Sequence, residues 1–309
     1  MVSFHIEPTS KCTLECPLCD RTWFYETFNK RNLHEININH LVNFVGTNKD
    51  IDMCGNNGDP IYHSDFLNLC QRLKDNNCKL SITTNGSAKS KEWWNKLNLI
   101  LDHNDKVTFS IDGLEDTNHL YRKNAKWKSI MDAIEVFKDR KCKLVWKYIV
   151  FKHNQHQVKQ AKEWSIDLGF DHFRLEKSDR WLGKKDLMPD KKYVDSYHEH
   201  QKAVLINPNY KSGMSPDCLK NNLPMNQLYI DSEGDFYPCC FMGFSPRTYG
   251  QGRWHQPVNK QITELLDNNN ALKMPLNECI EWFNRIPSCW NKSNFEDGRL
   301  VVCDNACGN

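Results

Sequence analysis

The sequence predicts an α/β protein, a partial (β/α)6 barrel followed by a small cysteine-rich C-terminal extension. Two observations predict this fold. Strand-like runs alternate with amphipathic helical stretches up to about residue 176, and seven of the 14 cysteines lie between residues 218 and 309. Alternating strands and helices form parallel sheets with right-handed crossovers. Six units are too few to close an eight-stranded barrel, so the sheet is expected to stay open on one side.

The individual elements follow from hydrophobic periodicity. The six strand candidates span residues 2–6, 51–54, 79–84, 106–111, 143–151 and 172–175. The helix candidates between them span residues 38–45, 64–75, 89–98, 128–139 and 155–168. Trp127, Ile130, Ile134 and Phe137 recur on one face of the fourth helix, and such a stripe is typical of core packing.

Changes in composition divide the chain into three predicted domains. Residues 1–176 form the partial barrel, residues 177–217 form a polar connection with one helix near 191–205, and residues 218–309 form the extension. Within the extension, runs at 226–230 and 236–238 flank a turn at 231–234, which predicts a β-hairpin.

Bulk properties exclude several classes of protein. The net charge is +2 with scattered basic residues, whereas nucleic-acid binding needs clustered Lys and Arg. No apolar run reaches the roughly 18 residues of a membrane span, and the N-terminus does not resemble a signal peptide. The protein is therefore expected in the cytoplasm, where thiols stay reduced, so 14 cysteines call for a metal explanation.

Three of these cysteines, Cys12, Cys16 and Cys19, lie within eight residues directly after the first strand. Loops at the carboxyl edge of a parallel sheet are where such folds place their chemistry. Structural zinc usually needs four ligands, and no fourth Cys or His follows nearby. Three thiolates suit a [4Fe–4S] cluster with one iron left open, with zinc as the alternative.

The pattern C-x3-C-x2-C after a first strand, followed by β/α units, resembles the radical S-adenosylmethionine (SAM) superfamily. The resemblance implies that SAM chelates the open iron. It further implies that one electron, from a donor such as flavodoxin or ferredoxin, cleaves SAM to methionine and a hydrogen-abstracting 5′-deoxyadenosyl radical. Leu18 stands where the family usually has an aromatic residue near the adenine.

Four further segments occur in the order in which the family places its SAM contacts. The segment 55–60 is similar to a Gly-Gly-Glu-Pro loop that receives the SAM ammonium group, with aspartate in place of glutamate. The others are similar to a Thr-Asn-Gly turn, a Ser-Ile-Asp-Gly strand end and a recurrent arginine that pairs with the SAM carboxylate. The cofactor-binding residues implied are Leu18, Gly58, Asp59, Pro60, Thr84, Asn85, Ser110, Asp112 and Arg122.

The spacing from Cys218 through Gly234 to Cys239 resembles the C-x9–15-G-x4-C signature of the SPASM and Twitch extensions. Of the later SPASM cysteines, only the closing C-x3-C, formed by Cys303 and Cys307, is present. The resemblance therefore implies a Twitch-type module with one auxiliary [4Fe–4S] cluster held by those four cysteines.

Other cysteines leave this ligand set open. Cys240 adjoins Cys239 and is an alternative ligand, as are Cys279 and Cys289, and a C-terminal zinc site is a further alternative. The remaining cysteines lie in strand or helix patterns and are interpreted as small buried hydrophobic residues; they are Cys54, Cys70, Cys78 and Cys142.

The first functional hypothesis is a radical SAM enzyme that oxidises or rearranges a small polar metabolite. A start of the first strand by residue 2, a single auxiliary cluster and a near-neutral charge favour a small molecule over a leader peptide. A peptide- or protein-modifying maturase is the alternative within the same class. A non-catalytic iron–sulfur electron carrier is the alternative from another class, but it would have no use for the SAM-type segments.

Overall fold

The computed structural model describes residues 3–29, 33–55, 57–177, 184–194, 227–243, 262, 264–265, 269–290, 292, 297–300 and 303. The chain divides into two compact units. One comprises Met1–Ile6, Ile36–Lys49 and Ser196–Asn309, and the other comprises Glu7–Glu35 and Asp50–Asp195. The larger unit contains the predicted cysteine triplet and all of the segments predicted to bind SAM. The three domains expected from composition remain a prediction.

The larger unit is built on a parallel sheet. Its strands, each paired with the next, are β2 (Asp50–Met53), β3 (Lys79–Thr84), β4 (Lys106–Ser110), β5 (Lys143–Ile149) and β6 (His172–Glu176). Its helices are α1 (Asp20–Phe28), α3 (Phe66–Asp75), α4 (Lys91–Ile100), α5 (Asn118–Tyr121), α6 (Trp127–Val136) and α7 (Val158–Asp167). Short 3-10 turns lie at Pro60–Tyr62, Phe137–Asp139, Gln155–Gln157, Lys185–Leu187 and Lys191–Tyr193. Among the described helices, none has the length and apolar character needed to cross a membrane.

The two faces of this sheet differ sharply in polarity. Side chains alternate between the faces of a strand. One face is apolar and buried, and includes Leu80, Ile82, Val107, Phe109, Leu144 and Trp146. The opposite face carries Ser81, Thr83, Thr108, Ser110 and Lys147. One face of the sheet therefore packs in the hydrophobic core, and the other face presents polar side chains.

The core of the larger unit is aromatic. Trp94 of α4 is fully buried, and its ring centroid lies 5.6 Å from that of Phe109 and 5.9 Å from that of Phe137. Such edge and tilted contacts add to the free energy of burying apolar area. The stripe predicted on the fourth helix is confirmed as core for Ile130, Ile134 and Phe137, which are buried.

The smaller unit has its own strands and helix. Strand β1 (Ser3–Ile6) pairs in parallel with β7 (Gln227–Ile230), which pairs in antiparallel with β8 (Phe236–Tyr237). The helix α2 (Ile38–Val45) belongs to this unit, as do short helical segments at Cys240–Gly243, Leu276–Glu281, Trp282–Arg285 and Ile286–Trp290. The predicted hairpin is confirmed.

The hairpin turn depends on glycine. Gly234 has a φ of +86°, and a Cβ at this position would lie 2.5 Å from Leu272 Cγ. Its amide donates to the Asp231 carbonyl oxygen, which closes the turn. Glycine is thus required here both by the backbone conformation and by close packing.

The structure differs from the sequence-based expectation in several places, and the short helix α5 is one element that was not predicted. The helix α1 was not predicted, because its aromatic residues do not repeat on one face. The strand β5 ends two residues early, because Asn154 accepts from the Phe151 amide and donates to the Ile149 carbonyl. The helix expected at 191–205 is wrong at its start: Lys191–Tyr193 is a single 3-10 turn followed by extended Val194. Residues 195–205 lie outside the described residues.

Candidate active site

The cysteine triplet lines a cavity of about 390 Å³ at the carboxyl ends of the parallel strands. We call it the cysteine cavity. Ten of the predicted site residues line it: Cys12, Cys16, Leu18, Cys19, Gly58, Asp59, Thr84, Asn85, Ser110 and Arg122. Two predicted cofactor-binding residues, Pro60 and Asp112, do not line it. The other residues of its wall are Leu14, Arg21, Cys54, Gly55, Asn57, Thr83, Tyr121, Lys147, Ile149, Phe151, Glu176 and Lys177.

Residues 12–19, which carry the three cysteines, form what we call the cysteine loop. Its backbone is fixed by its junction with α1. The Cys19 amide donates to the Cys16 carbonyl at 3.0 Å, and the Trp23 amide donates to the Cys19 carbonyl at 3.0 Å. Cys19 is thus the N-cap of α1, although its side chain makes no capping hydrogen bond. The Cys19 side chain thus lies at the positive end of the α1 dipole.

An apolar cluster packs against the cysteine loop. Leu14, Cys16 and Leu18 are buried together with Tyr121 and Phe151. The centroids of the Tyr121 and Phe151 rings are 4.0 Å apart. This packing keeps water away from one side of the loop, and solvent exposure is one of the factors that set the potential of an iron–sulfur cluster.

Burial governs the protonation of the thiols. It raises the pKa of Cys12 to about 12, with a further contribution from the Asp59 carboxylate. Burial also raises the pKa of Cys16 to about 12, against the opposing effect of Arg122. The charge of Cys19 acts on both thiols, so the three sulfur atoms share one electrostatic environment. A bound metal reverses such shifts, because a coordinated thiol is deprotonated.

Two glycines allow the loop after β2 to approach the residues just before the cysteine loop. A Cβ on Gly58 would lie 2.0 Å from the Thr9 carbonyl oxygen and 2.8 Å from the Ser10 Cα. A Cβ on Gly55 would lie 1.9 Å from the Gly58 carbonyl oxygen. The obstructing atoms belong to the backbone and cannot move away by a change of rotamer. Any side chain at these positions therefore displaces the loop that lines the cavity.

Replacing Gly58 with Ala is expected to shift this loop and to weaken SAM binding at least about tenfold, with a loss of about 1–3 kcal/mol in unfolding free energy. Calorimetric titration with SAM and thermal unfolding measure the two effects. The matched control is Gly46→Ala, where an added Cβ has no atom within 4 Å. Its positive φ makes it strained, but SAM binding should be unchanged. Equal SAM affinity in both variants would contradict this role for Gly58.

The Asp59 carboxylate is buried, and three of its four hydrogen bonds are made to one oxygen. One oxygen, Oδ2, accepts from the Thr84 hydroxyl at 3.1 Å and from the Asn85 amide nitrogen at 2.7 Å. The Asn85 side-chain amide donates to the same oxygen and lies 3.6 Å from the Cys12 sulfur. Burial raises the pKa of Asp59 to about 6, so the carboxylate is mostly ionised above that pH. The predicted Thr-Asn-Gly turn thus holds the predicted acidic residue next to a cysteine.

A second buried carboxylate holds Arg122. The Arg122 Nε atom donates to Asp112 Oδ2 at 2.7 Å, and the Ile149 amide donates to Asp112 Oδ1 at 2.7 Å. Burial alone would lower the pKa of Arg122, but the Asp112 charge raises it above its usual range. Because both Asp112 oxygens are occupied and Asp112 lies outside the cavity wall, the geometry favours a positioning role for it.

Sequence reasoning missed several residues of the wall. Cys54 was interpreted as a buried hydrophobic residue, yet it is half-buried and lines the cavity. Lys147 and Ile149 of β5 and Glu176 of β6 were also missed. A signal was available for β5, because Lys147 and Ile149 alternate with the buried Trp146 and Tyr148.

The residues of the cysteine cavity fit a [4Fe–4S] cluster and SAM. Three thiols share one cavity, and its wall includes Gly55 and Gly58, which have no side chain to cover their backbone atoms. The Arg21 Nε atom is buried beside Cys12 with no hydrogen-bond partner among the described residues. Across the same residues, no three His, Cys, Asp or Glu side chains converge on a site for a single ion. The fit therefore rests on the shared cavity and its donors.

The predicted auxiliary site is only partly described. Cys239 and Cys303 lie in the described residues, half-buried and buried respectively, whereas Cys218 and Cys307 lie outside them. Of the alternative ligands, Cys279 is fully buried, and Cys240 and Cys289 are half-buried. The ligand set of this site remains a prediction.

Comparisons with known proteins agree with this site. The model of the radical SAM superfamily matches residues 6–164, which include the cysteine triplet and all of the predicted SAM segments. The chain belongs to the radical SAM superfamily. A search of curated proteins finds no match.

Solved structures show the same fold. SuiB from Streptococcus suis bound to S-adenosylmethionine aligns with a TM-score of 0.60 and 14% identity, covering 97% of this chain and 71% of SuiB. SuiB bound to the precursor peptide SuiA aligns with a TM-score of 0.53 and 15% identity, covering 90% of this chain and 64% of SuiB. The predicted α/β fold is confirmed, because the parallel sheet with its helices matches a radical SAM partial barrel.

Membership of the superfamily has chemical consequences. Its members are enzymes, and the family implies a [4Fe–4S] cluster and SAM as cofactors.

Proposed function

We propose that this protein is a radical SAM enzyme whose cluster is held by Cys12, Cys16 and Cys19 and whose substrate is a small polar metabolite. The observation that carries the proposal is the meeting of three thiols, a buried carboxylate and a mostly buried guanidinium in one cavity. These are the groups needed to hold the cluster and the two charged ends of SAM.

Two groups of residues are suited to the two charged ends of SAM, the ammonium group and the carboxylate. The Gly58 backbone and the Asp59 carboxylate are suitable acceptors for the SAM ammonium group. The Arg122 guanidinium, kept charged by Asp112, is a suitable donor to the SAM carboxylate. The Asn85 side-chain amide contacts both Asp59 and the Cys12 sulfur. The proposed acceptor of the ammonium group is therefore held close to the cysteine loop.

When bound and reduced, the cluster supplies the electron that cleaves SAM to methionine and a 5′-deoxyadenosyl radical. The chain's own contribution is binding, orientation and exclusion of water. The buried rings of Tyr121 and Phe151 shield the cysteine loop. Exclusion of water protects a reactive intermediate from side reactions.

The character of the sheet supports a small polar substrate. The face of the sheet opposite the core carries hydroxyl groups and a lysine, including Thr83, Ser110 and Lys147, which also line the cavity. A cavity of about 390 Å³ lies within the range typical of small-molecule sites. The reaction class we propose is oxidation or radical rearrangement, with an external electron donor such as flavodoxin or ferredoxin.

A peptide substrate is the second candidate function. It is favoured by the likeness to SuiB, which is seen bound to the precursor peptide SuiA. In this case the chain would be a peptide-modifying maturase with the same radical chemistry at the cysteine cavity.

We further propose one auxiliary [4Fe–4S] cluster in the C-terminal region. The spacing of Cys218, Gly234 and Cys239 supports it, as does the closing pair Cys303 and Cys307. Gly234 lies in the turn before β8, and Cys239 follows that strand after Pro238, in keeping with the C-x9–15-G-x4-C spacing.

The substrate class is tested by isotope transfer. Reconstituted enzyme is incubated with dithionite, SAM and perdeuterated candidates: amino sugars, nucleotides and peptides. We expect deuterium in 5′-deoxyadenosine only with a small polar molecule, detected by mass spectrometry. Transfer only from a peptide would establish the maturase instead. Absence of 5′-deoxyadenosine under every condition would contradict radical SAM activity itself.

A further inference from the structure

Lys147 brings a positive charge into the cysteine cavity. It lies near the end of β5, is half-buried, and lines the same cavity as the three cysteines. Within the described part of the chain, its ammonium group forms no hydrogen bond and no ion pair. A half-buried cation without a partner is unfavourable, and a bound anion offsets this cost.

No carboxylate of the described residues forms an ion pair with Lys147. Its register partners are Ser110 on β4 and Arg174 on β6. The guanidinium of Arg174 pairs with Glu176 at 2.5 Å. Asp52 and Glu7 act electrostatically on Cys54, as Lys147 does, but neither forms an ion pair with Lys147. Lys147 therefore carries a positive charge without an ion-pair partner among the described residues.

Lys147 lies on a different strand from the proposed SAM residues. Those residues come from the loop after β2 and from the ends of β3 and β4, whereas Lys147 lies one strand further along the sheet. No residue of β5 is among the proposed SAM residues, so Lys147 is available to the second reactant. The hydroxyl of Ser110, beside Lys147 on the same face, is a further donor at the boundary.

We infer that Lys147 binds an anionic group of the substrate, a carboxylate or a phosphate. The inference rests on the proposed function, because it assigns the second reactant of the same cavity. The substrate class is then an acidic small molecule rather than a neutral sugar. Charge-assisted hydrogen bonds from an ammonium group to either oxyanion are about twice as strong as neutral ones.

The test is equilibrium dialysis of SAM-loaded, reconstituted enzyme against labelled inorganic phosphate and labelled glutarate. We expect one anion per chain in the wild type and binding at least about tenfold weaker in Lys147→Met. The matched control is Lys143→Met, which removes an exposed lysine from the start of the same strand. It should bind the anion as the wild type does, and all three proteins should bind SAM equally.

The two probes separate the two chemistries. Tighter binding of phosphate assigns a phosphorylated substrate, and tighter binding of glutarate assigns a carboxylate. The inference is overturned if the wild type binds neither anion, if Lys147→Met binds both unchanged, or if Lys147→Met loses SAM affinity. A parallel assay of 5′-deoxyadenosine keeps the two hypotheses apart, because anion binding requires no radical.

Discussion

Replacing Cys12, Cys16 and Cys19 together with Ala is expected to abolish formation of 5′-deoxyadenosine. The three thiols are the proposed ligands of the catalytic cluster, and they share one cavity with the proposed SAM residues. The iron content should fall from about eight to about four atoms per chain, because the auxiliary cluster is retained. Iron and sulfide analysis and chromatography of the products measure both outcomes.

The matched control is a triple Ala variant of Cys70, Cys78 and Cys142. All three are buried in elements of the fold and lie outside the cysteine cavity. This variant should keep both its iron and its SAM cleavage. If the wild type contains four iron atoms and the triplet variant contains none, the proposal of an auxiliary cluster is wrong. The proposal of a catalytic cluster would stand. Stoichiometric zinc with little iron in the wild type would contradict the cluster proposal.

Removing the guanidinium of Arg122 is expected to weaken SAM binding by about 10- to 100-fold, which corresponds to one lost charge-assisted contact. The single variant Arg122→Met also leaves the Asp112 carboxylate buried without a counter-ion, which costs about 3–5 kcal/mol of stability. The double variant Arg122→Met, Asp112→Asn removes both charges. It should fold yet retain the SAM defect, as measured by calorimetric titration.

A matched control separates this binding effect from general loss of charge. Arg140 pairs with Asp171 at 2.8 Å and lies outside the cysteine cavity. The variant Arg140→Met should bind SAM as the wild type does. If the double variant at positions 122 and 112 also binds SAM normally, Arg122 is not a SAM ligand. Its pairing with Asp112 would then serve stability alone.

Most strands were predictable because the pattern of apolar residues that defines them is local in the sequence. The apolar alternation at 79–84 predicted the bounds of β3, Lys79–Thr84. The amphipathic stretch at 38–45 likewise predicted the bounds of α2, Ile38–Val45. The helix α1 escaped prediction because its position depends on Cys19 and the turn before it, not on an apolar stripe. The early end of β5 escaped because a side-chain network at Asn154 ends the strand.

The candidate site was predictable where a residue belongs to a sequence motif at a strand end. Asp59, Asn85 and Arg122 follow strand ends, and their spacing identified them. The role of Asp112 was not predictable, because its contact with Arg122 depends on how the α5 region folds back on β4. Lys147 escaped for a related reason: its importance comes from its cross-strand neighbours, which only the sheet register defines.

The most direct test is electron paramagnetic resonance of the dithionite-reduced protein with and without SAM. The account predicts a reduced-cluster signal whose g values change when SAM is added, because SAM binds the open iron. This SAM-responsive signal should be present in the wild type and in Gly46→Ala, and absent from the variant lacking Cys12, Cys16 and Cys19. A wild-type spectrum that is identical with and without SAM would contradict the central claim.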